Sequence, residues 1–315
     1  MRSKDFYIQN IGKVDSAPLF FQPWWLDAVC SGQWDAIVVK HGERPALLFP
    51  FCYLNKGLIR SIVKPRFTPY LGPLILYPEQ QNYYNRLSYE QKLTAALVSE
   101  LPQFHKFNVA FSPAVTNWLP WYWAGYRQTT RYTYKLEPRE EEETLQNVKE
   151  SIRRQIKKAS KSVHISEADD PELFYRLNSK TFARQGKDMP YSKEDFLSLD
   201  AACRKENARR ILLAKDARGN YHAGLYLVWD KTTVYYLMGG SDGRFRSSGA
   251  GSLIMWEAIR FAFNSGKIFD FEGSMIEPIE RFFRSFGARQ VPYFEIRKYD
   301  KLAGKFLNIL REFNS

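Results

Sequence analysis

Leu145, Val148, Ile152, Ile156, Ala159 and Val163 recur at spacings of three and four, so residues 140–162 are predicted to form one amphipathic helix. Tyr84, Leu87, Leu93 and Leu97 give residues 82–100 a helical period, and Pro23–Val29 reads as a shorter helix. Between them AIVVK, the turn HGERP and ALLFPFCYL read as strand, turn and strand, and TPYLGPLILYP reads as a further extended segment. FNVAF reads as a buried strand, and YRQTTRYTYKLEP closes the first half. Beyond residue 162 the pattern predicts a strand in VHISEA and helices over Pro171–Gln185 and Lys193–Glu206. A meander of RRILLAKD, HAGLYLVWD and TTVYYLMGG follows. Then come a Gly-rich turn, a helix from Ser252 to Asn264, a strand in KIFDFEGS and a helix over Ile279–Phe286. QVPYFEIRKY is the last strand, and a terminal helix is expected to end at Ser315.

This alternation is the mark of a mixed α+β chain, and 315 residues suffice for two domains. GYRQTTRYTY at 125–134 and GARQVPYFEI at 287–296 share Gly-x-Arg-Gln ahead of an aromatic-rich strand, which suggests two related halves. The boundary is placed near Glu137-Pro138, giving domains 1–137 and 138–315. The N-terminal MRSKDFYIQN has no signal-peptide core, and no apolar run reaches the length of a membrane span, so a cytoplasmic protein is expected. Cys30, Cys52 and Cys203 show no CxxC spacing and the four histidines form no paired motif, so no metal site is read.

The net charge of +12 points to an anionic partner. No Asp or Glu lies between Arg44 and Pro78, where Lys56, Arg60, Lys64 and Arg66 could grip a diphosphate. The run Glu140–Glu143 followed by Lys149, Arg153, Arg154, Lys157, Lys158 and Lys161 matches the helix macrodipole, and its basic end is also a possible RNA face.

The sharpest motif is Arg246-Ser247-Ser248-Gly249-Ala250-Gly251, which follows the meander and opens an apolar helix. Main-chain N–H groups of such a turn, with those of the first helical turn, form an anion cradle. Glycines at 249 and 251 are expected to let a pyrophosphate approach the backbone.

Here the chain resembles the GNAT acyltransferase superfamily, whose Arg/Gln-x-x-Gly-x-Gly/Ala loop holds the pyrophosphate of acyl-coenzyme A. TPYLGPL (68–74), IRRQIKKASKSVHI (152–165), FDFEGS (269–274) and RFFRSFGA (281–288) narrow the resemblance to the double-GNAT branch, with the Fem-type peptidoglycan-bridge aminoacyltransferases. It implies two tandem GNAT-like domains, each a mostly antiparallel sheet flanked by helices, the first degenerate and the second holding the cradle. Fem-type enzymes have a lysine, and many GNAT enzymes a tyrosine, four residues before the helix-ending glycine. That glycine is Gly287 here, and the position holds Phe283. Arg284 is adjacent but turned about 100° around the helix.

Acid–base groups must then come from nearby strands. Glu272 is expected to accept the amine proton, Asp270 to share its face, and Tyr293 to be the nearest phenol. The leading reading is direct acyl transfer from acyl-coenzyme A to an amine, such as a nucleotide- or lipid-linked cell-envelope precursor, with peripheral contact to a membrane among the options. The alternatives are an aminoacyl-tRNA donor, with helix 140–162 as an RNA contact, and a binding protein that has lost the chemistry.

Overall fold

The computed structural model of the protein describes residues 3–15 and 17–300, with all their side chains except that of Lys56. The expected terminal helix lies outside the described residues. The chain divides into two compact units: one runs to Arg131 and resumes at Pro292, and the other is Tyr132–Val291. This differs from a division at 137/138, because the chain changes units inside two long strands.

The first unit contains α1 (Ser3–Ile11), α2 (Pro23–Cys30), β1 (Trp34–His41), β2 (Arg44–Lys56), β3 (Ile59–Val63), β4 (Leu74–Ile75), α3 (Tyr83–Glu100), β5 (Lys106–Ala110) and α4 (Leu119–Trp123). The long β6 (Arg127–Leu136) starts there and ends in the second unit. β1, β2 and β3 form an antiparallel meander, β5 joins β3 in parallel, and β4 pairs with β2. Trp25, Trp34, Phe49, Phe107, Phe111 and Trp121 fill the core. Only two residues of TPYLGPLILYP form a strand, since its prolines withhold ladder donors. α1, with little apolar periodicity, carries no helical signature in its sequence; Tyr7 and Ile11 bury it.

The second unit contains α5 (Glu141–Asn147), α6 (Glu150–Ala159), β7 (Val163–Ala168), α7 (Pro171–Arg184), α8 (Lys193–Lys205), β8 (Arg209–Asp216), β9 (Tyr221–Trp229), β10 (Thr233–Ser241), α9 (Ala250–Asn264), β11 (Ile268–Asp270), α10 (Glu277–Arg284) and β12 (Arg289–Tyr299), which runs on into the first unit. β7 to β10 are antiparallel, β11 joins β10 in parallel, and the end of β6 pairs with β11. Reciprocally, the end of β12 pairs with β5 in the first unit. Both units therefore repeat one order: meander, helix (α3 or α9), parallel strand (β5 or β11), short helix (α4 or α10), then a long strand. Gly125 and Gly287, the glycines of the sequence repeat, both adopt φ +80° before those strands.

The single helix expected over 140–162 is two. Val148 is extended and its side chain buried, and the Lys149 N–H donates to the Ser285 carbonyl at 2.8 Å instead of continuing the helix. α9 is buried on almost every side, as its apolar sequence requires, with Ile254, Met255, Ala258, Ile259 and Ala262 in one core with Leu225, Leu227 and Phe269.

Candidate active site

β10 and β11 pair only through Thr233–Ile268, Val234–Phe269 and Tyr235–Asp270, while β10 continues to Ser241. Beyond Tyr235 the two parallel strands part, and the C-terminal ends of parallel strands are where open sheets take ligands. On its other edge β10 sets Tyr236 opposite Leu227 and Met238 opposite Tyr226, so Leu237 is an extra, bulged residue. The Tyr236 ring folds back over Gly239, where a Cβ would collide with its hydroxyl. Burial and the neighbouring Glu272 charge push the phenol up to about 12. Tyr236 was not among the expected site residues; its only sequence signal is its place just before Gly239-Gly240 at the strand's end.

Glu272 has φ +58°, a left-handed conformation that costs an L-residue about 1–2 kcal/mol. Three neighbours hold it there. Its N–H donates to Asp270 Oδ1 at 2.8 Å, and its carbonyl accepts from the Thr133 hydroxyl at 2.7 Å. The bare Gly273 Cα lies on the Tyr132 carbonyl, which a Cβ would overlap. Strain held so firmly is typical of functional positions.

Asp270 does not share a strand face with Glu272 as expected. β11 ends there, and the left-handed turn at Glu272 breaks the alternation. Asp270 is fully buried, meets the Thr133 hydroxyl, and has Lys135 Nζ 3.4 Å from Oδ2. Burial raises its pKa and the ammonium opposes that rise. Its geometry is that of an anchor for Glu272. Arg284 is a surface residue paired to Glu280 at 3.0 Å. Tyr293 belongs to the first unit, where it lines a cavity of about 220 Å³ with Lys64, Arg131 and Glu295. Phe283 is buried, with its ring against those of Tyr236 and Phe271.

The segment expected to cradle an anion is a 3-10 turn over Gly243–Ser248, closed by Gly249 at φ +80°. Asp242 opens it, accepting from Arg244 Nη2 at 2.9 Å and Lys180 Nζ at 2.8 Å, and these cations hold its carboxyl well below the usual range. The His222 ring stacks on Phe245 with centroids 4.1 Å apart. Lys158 Nζ donates to the Ser247 carbonyl at 3.1 Å.

The two glycines of the motif do different work. A Cβ at Gly249 would lie 2.7 Å from the Gln155 carbonyl oxygen, so its missing side chain admits α6 and gives no room to a ligand. The Ala250 N–H is taken by Ser248 Oγ at 3.2 Å, and that of Ser252 by the Gly249 carbonyl at 3.0 Å. Gly251 faces open space, with no heavy atom within 4 Å of where its Cβ would be. Arg246, five residues earlier, is exposed. The expected cradle is therefore open at Gly251 and closed at Gly249.

The four cations expected to act together are divided. Arg60 lines a groove of about 700 Å³, Lys64 lines the smaller cavity, and Arg66 is exposed on the following loop. The Lys56 side chain lies outside the described residues.

Residues 146–275 match the family described as acetyltransferase (GNAT) domain. No curated protein matches the chain in sequence. Among solved structures, FemX is similar over 93% of this chain and 96% of its own, with a TM-score of 0.67 at 13% identity. A C-terminal domain from Agrobacterium fabrum, assigned to a lysylphosphatidylglycerol synthetase, gives 0.55 at 12% identity, covering 96% of this chain and 94% of its own. L-PGS from Bacillus licheniformis gives 0.51 at 11%, covering 88% and 87%. At such identities the likeness is one of fold.

Proposed function

We propose, from the match of residues 146–275 to the acetyltransferase (GNAT) domain, that the chain is an N-acyltransferase whose second unit passes the acyl group of acyl-coenzyme A directly to an amine. The observation that carries this reading is the placement of Tyr236 and Glu272 where β10 and β11 part. The amine nitrogen attacks the thioester carbonyl carbon, forming C–N as C–S breaks. Glu272 takes the surplus amine proton, directly or through water, and the departing sulfur takes the Tyr236 proton. A phenol whose pKa lies near 12 is protonated at neutral pH, as a proton donor must be. Main-chain groups on the open edge of β10 polarise the carbonyl. The Gly251 amide and the Arg246 guanidinium receive the diphosphate, which the open space at Gly251 accommodates.

The acceptor is read as an anionic, envelope-type amine from the net charge of +12 and the lack of Asp and Glu between Arg44 and Pro78, without requiring Lys56, Arg60, Lys64 and Arg66 to act as one site. Thiol release from a panel of acyl-coenzyme A esters, with amine-bearing envelope precursors as acceptors, tests the reading. Amine-dependent release is expected, and its absence with every ester would overturn the assignment.

One observation favours an aminoacyl-tRNA donor as a second reading. Arg153, Arg154, Lys157 and Lys158 are exposed on α6, and Lys158 touches the loop at Ser247. That reading predicts tRNA binding that weakens steeply with salt.

A further inference from the structure

The hairpin joining β2 to β3 has an exposed end: every described side chain from Tyr53 to Arg60 is exposed. Its tip is aliphatic, with Leu58 92% exposed, Leu54 44% and Ile59 37%. Scattered exposed apolar residues are ordinary, but a cluster at the tip of a hairpin marks a contact surface. The tip is also cationic. Lys56 is paired in register with Ile59, Asn55 with Arg60, and no acidic residue occurs between Arg44 and Pro78.

Next to the tip lies the groove of about 700 Å³, which has Leu58 and Arg60 on its wall and Leu101, Phe104 and Tyr126 along it. Lys298 completes that wall, with Nζ 4.7 Å from the Tyr126 ring centre and donating to the Ala124 carbonyl at 2.7 Å. The acid in the groove, Asp300, has His105 Nε2 at 4.0 Å.

We propose that this hairpin and groove dock the protein on an anionic phospholipid surface. The aliphatic tip enters the boundary between headgroups and acyl chains, and Arg60 and Lys298 meet lipid phosphates. The most exposed side chain of the tip, Leu58, is aliphatic, whereas single-stranded bases are held by aromatic faces. The exposed ring of Tyr53 lies back from the tip at its pairing with Ile62, and Tyr126 in the groove is buried, so the tip suits a bilayer better than a nucleic acid. Arg60 is shared with the acid-free stretch used to read the acceptor, but the surface holds none of Arg246, Gly251, Tyr236 and Glu272; vesicle binding without amine-dependent thiol release, or the reverse, tells the two ideas apart.

Co-sedimentation with vesicles of phosphatidylcholine alone, and of phosphatidylcholine mixed with phosphatidylglycerol, tests it. The protein is expected to sediment with the mixed vesicles only, and to be released by high salt. Leu58→Asp and Arg60→Glu should each weaken that binding roughly fivefold to tenfold without changing the unfolding temperature, since both side chains are exposed. Wild-type protein that stays in solution with both vesicles, or a Leu58→Asp variant that sediments like wild type, would overturn the proposal. So would binding of tRNA that is lost in Arg60→Glu while vesicles are ignored, or a dimer in light scattering that Leu58→Asp dissociates.

Discussion

The Phe283 ring stands edge-on to that of Tyr236, with centroids 5.9 Å apart and planes at 83°. This chain places a hydrocarbon ring on the helix, and in the proposed mechanism the hydroxyl comes from the bulged strand beside it. Tyr236→Phe keeps the ring contact and removes the phenol. It should lower kcat roughly 10²-fold with KM and unfolding temperature little changed. Phe283→Ala instead opens a cavity among Tyr134, Tyr236 and Phe271, and should cost about 3–5 kcal/mol in urea denaturation.

Glu272 combines backbone strain with the proton-accepting role proposed for it, and the two can be separated. Glycine adopts φ +58° without the Cβ penalty, so Glu272→Gly should unfold at or above the wild-type temperature while turnover falls roughly 10²–10⁴-fold. Glu272→Gln should lose the same activity with no gain in stability. A Glu272→Gly variant that is both active and stable would remove Glu272 from the mechanism.

Much of the fold is legible in local pattern. The meander Arg209–Ser241, the apolar α9 and the helix of 82–100 all announce themselves through period and turns. What is not legible depends on partners distant in sequence. The apolar spacing runs unbroken through Val148, and only the Ser285 carbonyl shows why the helix stops there. Tyr236 and Tyr235 are indistinguishable as letters in TTVYYLMGG; a bulge at Leu237 and the early end of β11 give one of them the site. Gly249 and Gly251 likewise look equivalent until α6 is seen packed on the first.

Asp242 makes the loop before α9 sensitive to acid. Arg244 and Lys180 hold its folded pKa below the ordinary carboxylate value near 4. The stability it contributes is therefore fully present above that value and lost as pH falls toward the folded pKa. Thermal unfolding followed from pH ~5 to ~2 should show a smaller acid loss in Asp242→Asn than in wild type. Equal slopes would mean that the pair contributes nothing to stability.

Gly249 and Gly251 separate packing from binding. Gly249→Ala forces a methyl toward the Gln155 carbonyl at a left-handed φ, and should destabilise by about 1–3 kcal/mol. Gly251→Ala, in open space within the first turn of α9, should stabilise by a few tenths to about 1 kcal/mol.

In the proposed mechanism the amide at the start of α9 seats the diphosphate of an acyl-coenzyme A. Isothermal titration of coenzyme A into wild-type protein and Gly251→Trp addresses it most directly. Saturable binding to wild type is expected, with its loss in a variant that remains folded. Heat changes absent from wild type at millimolar ligand, or identical in the two proteins, would contradict it.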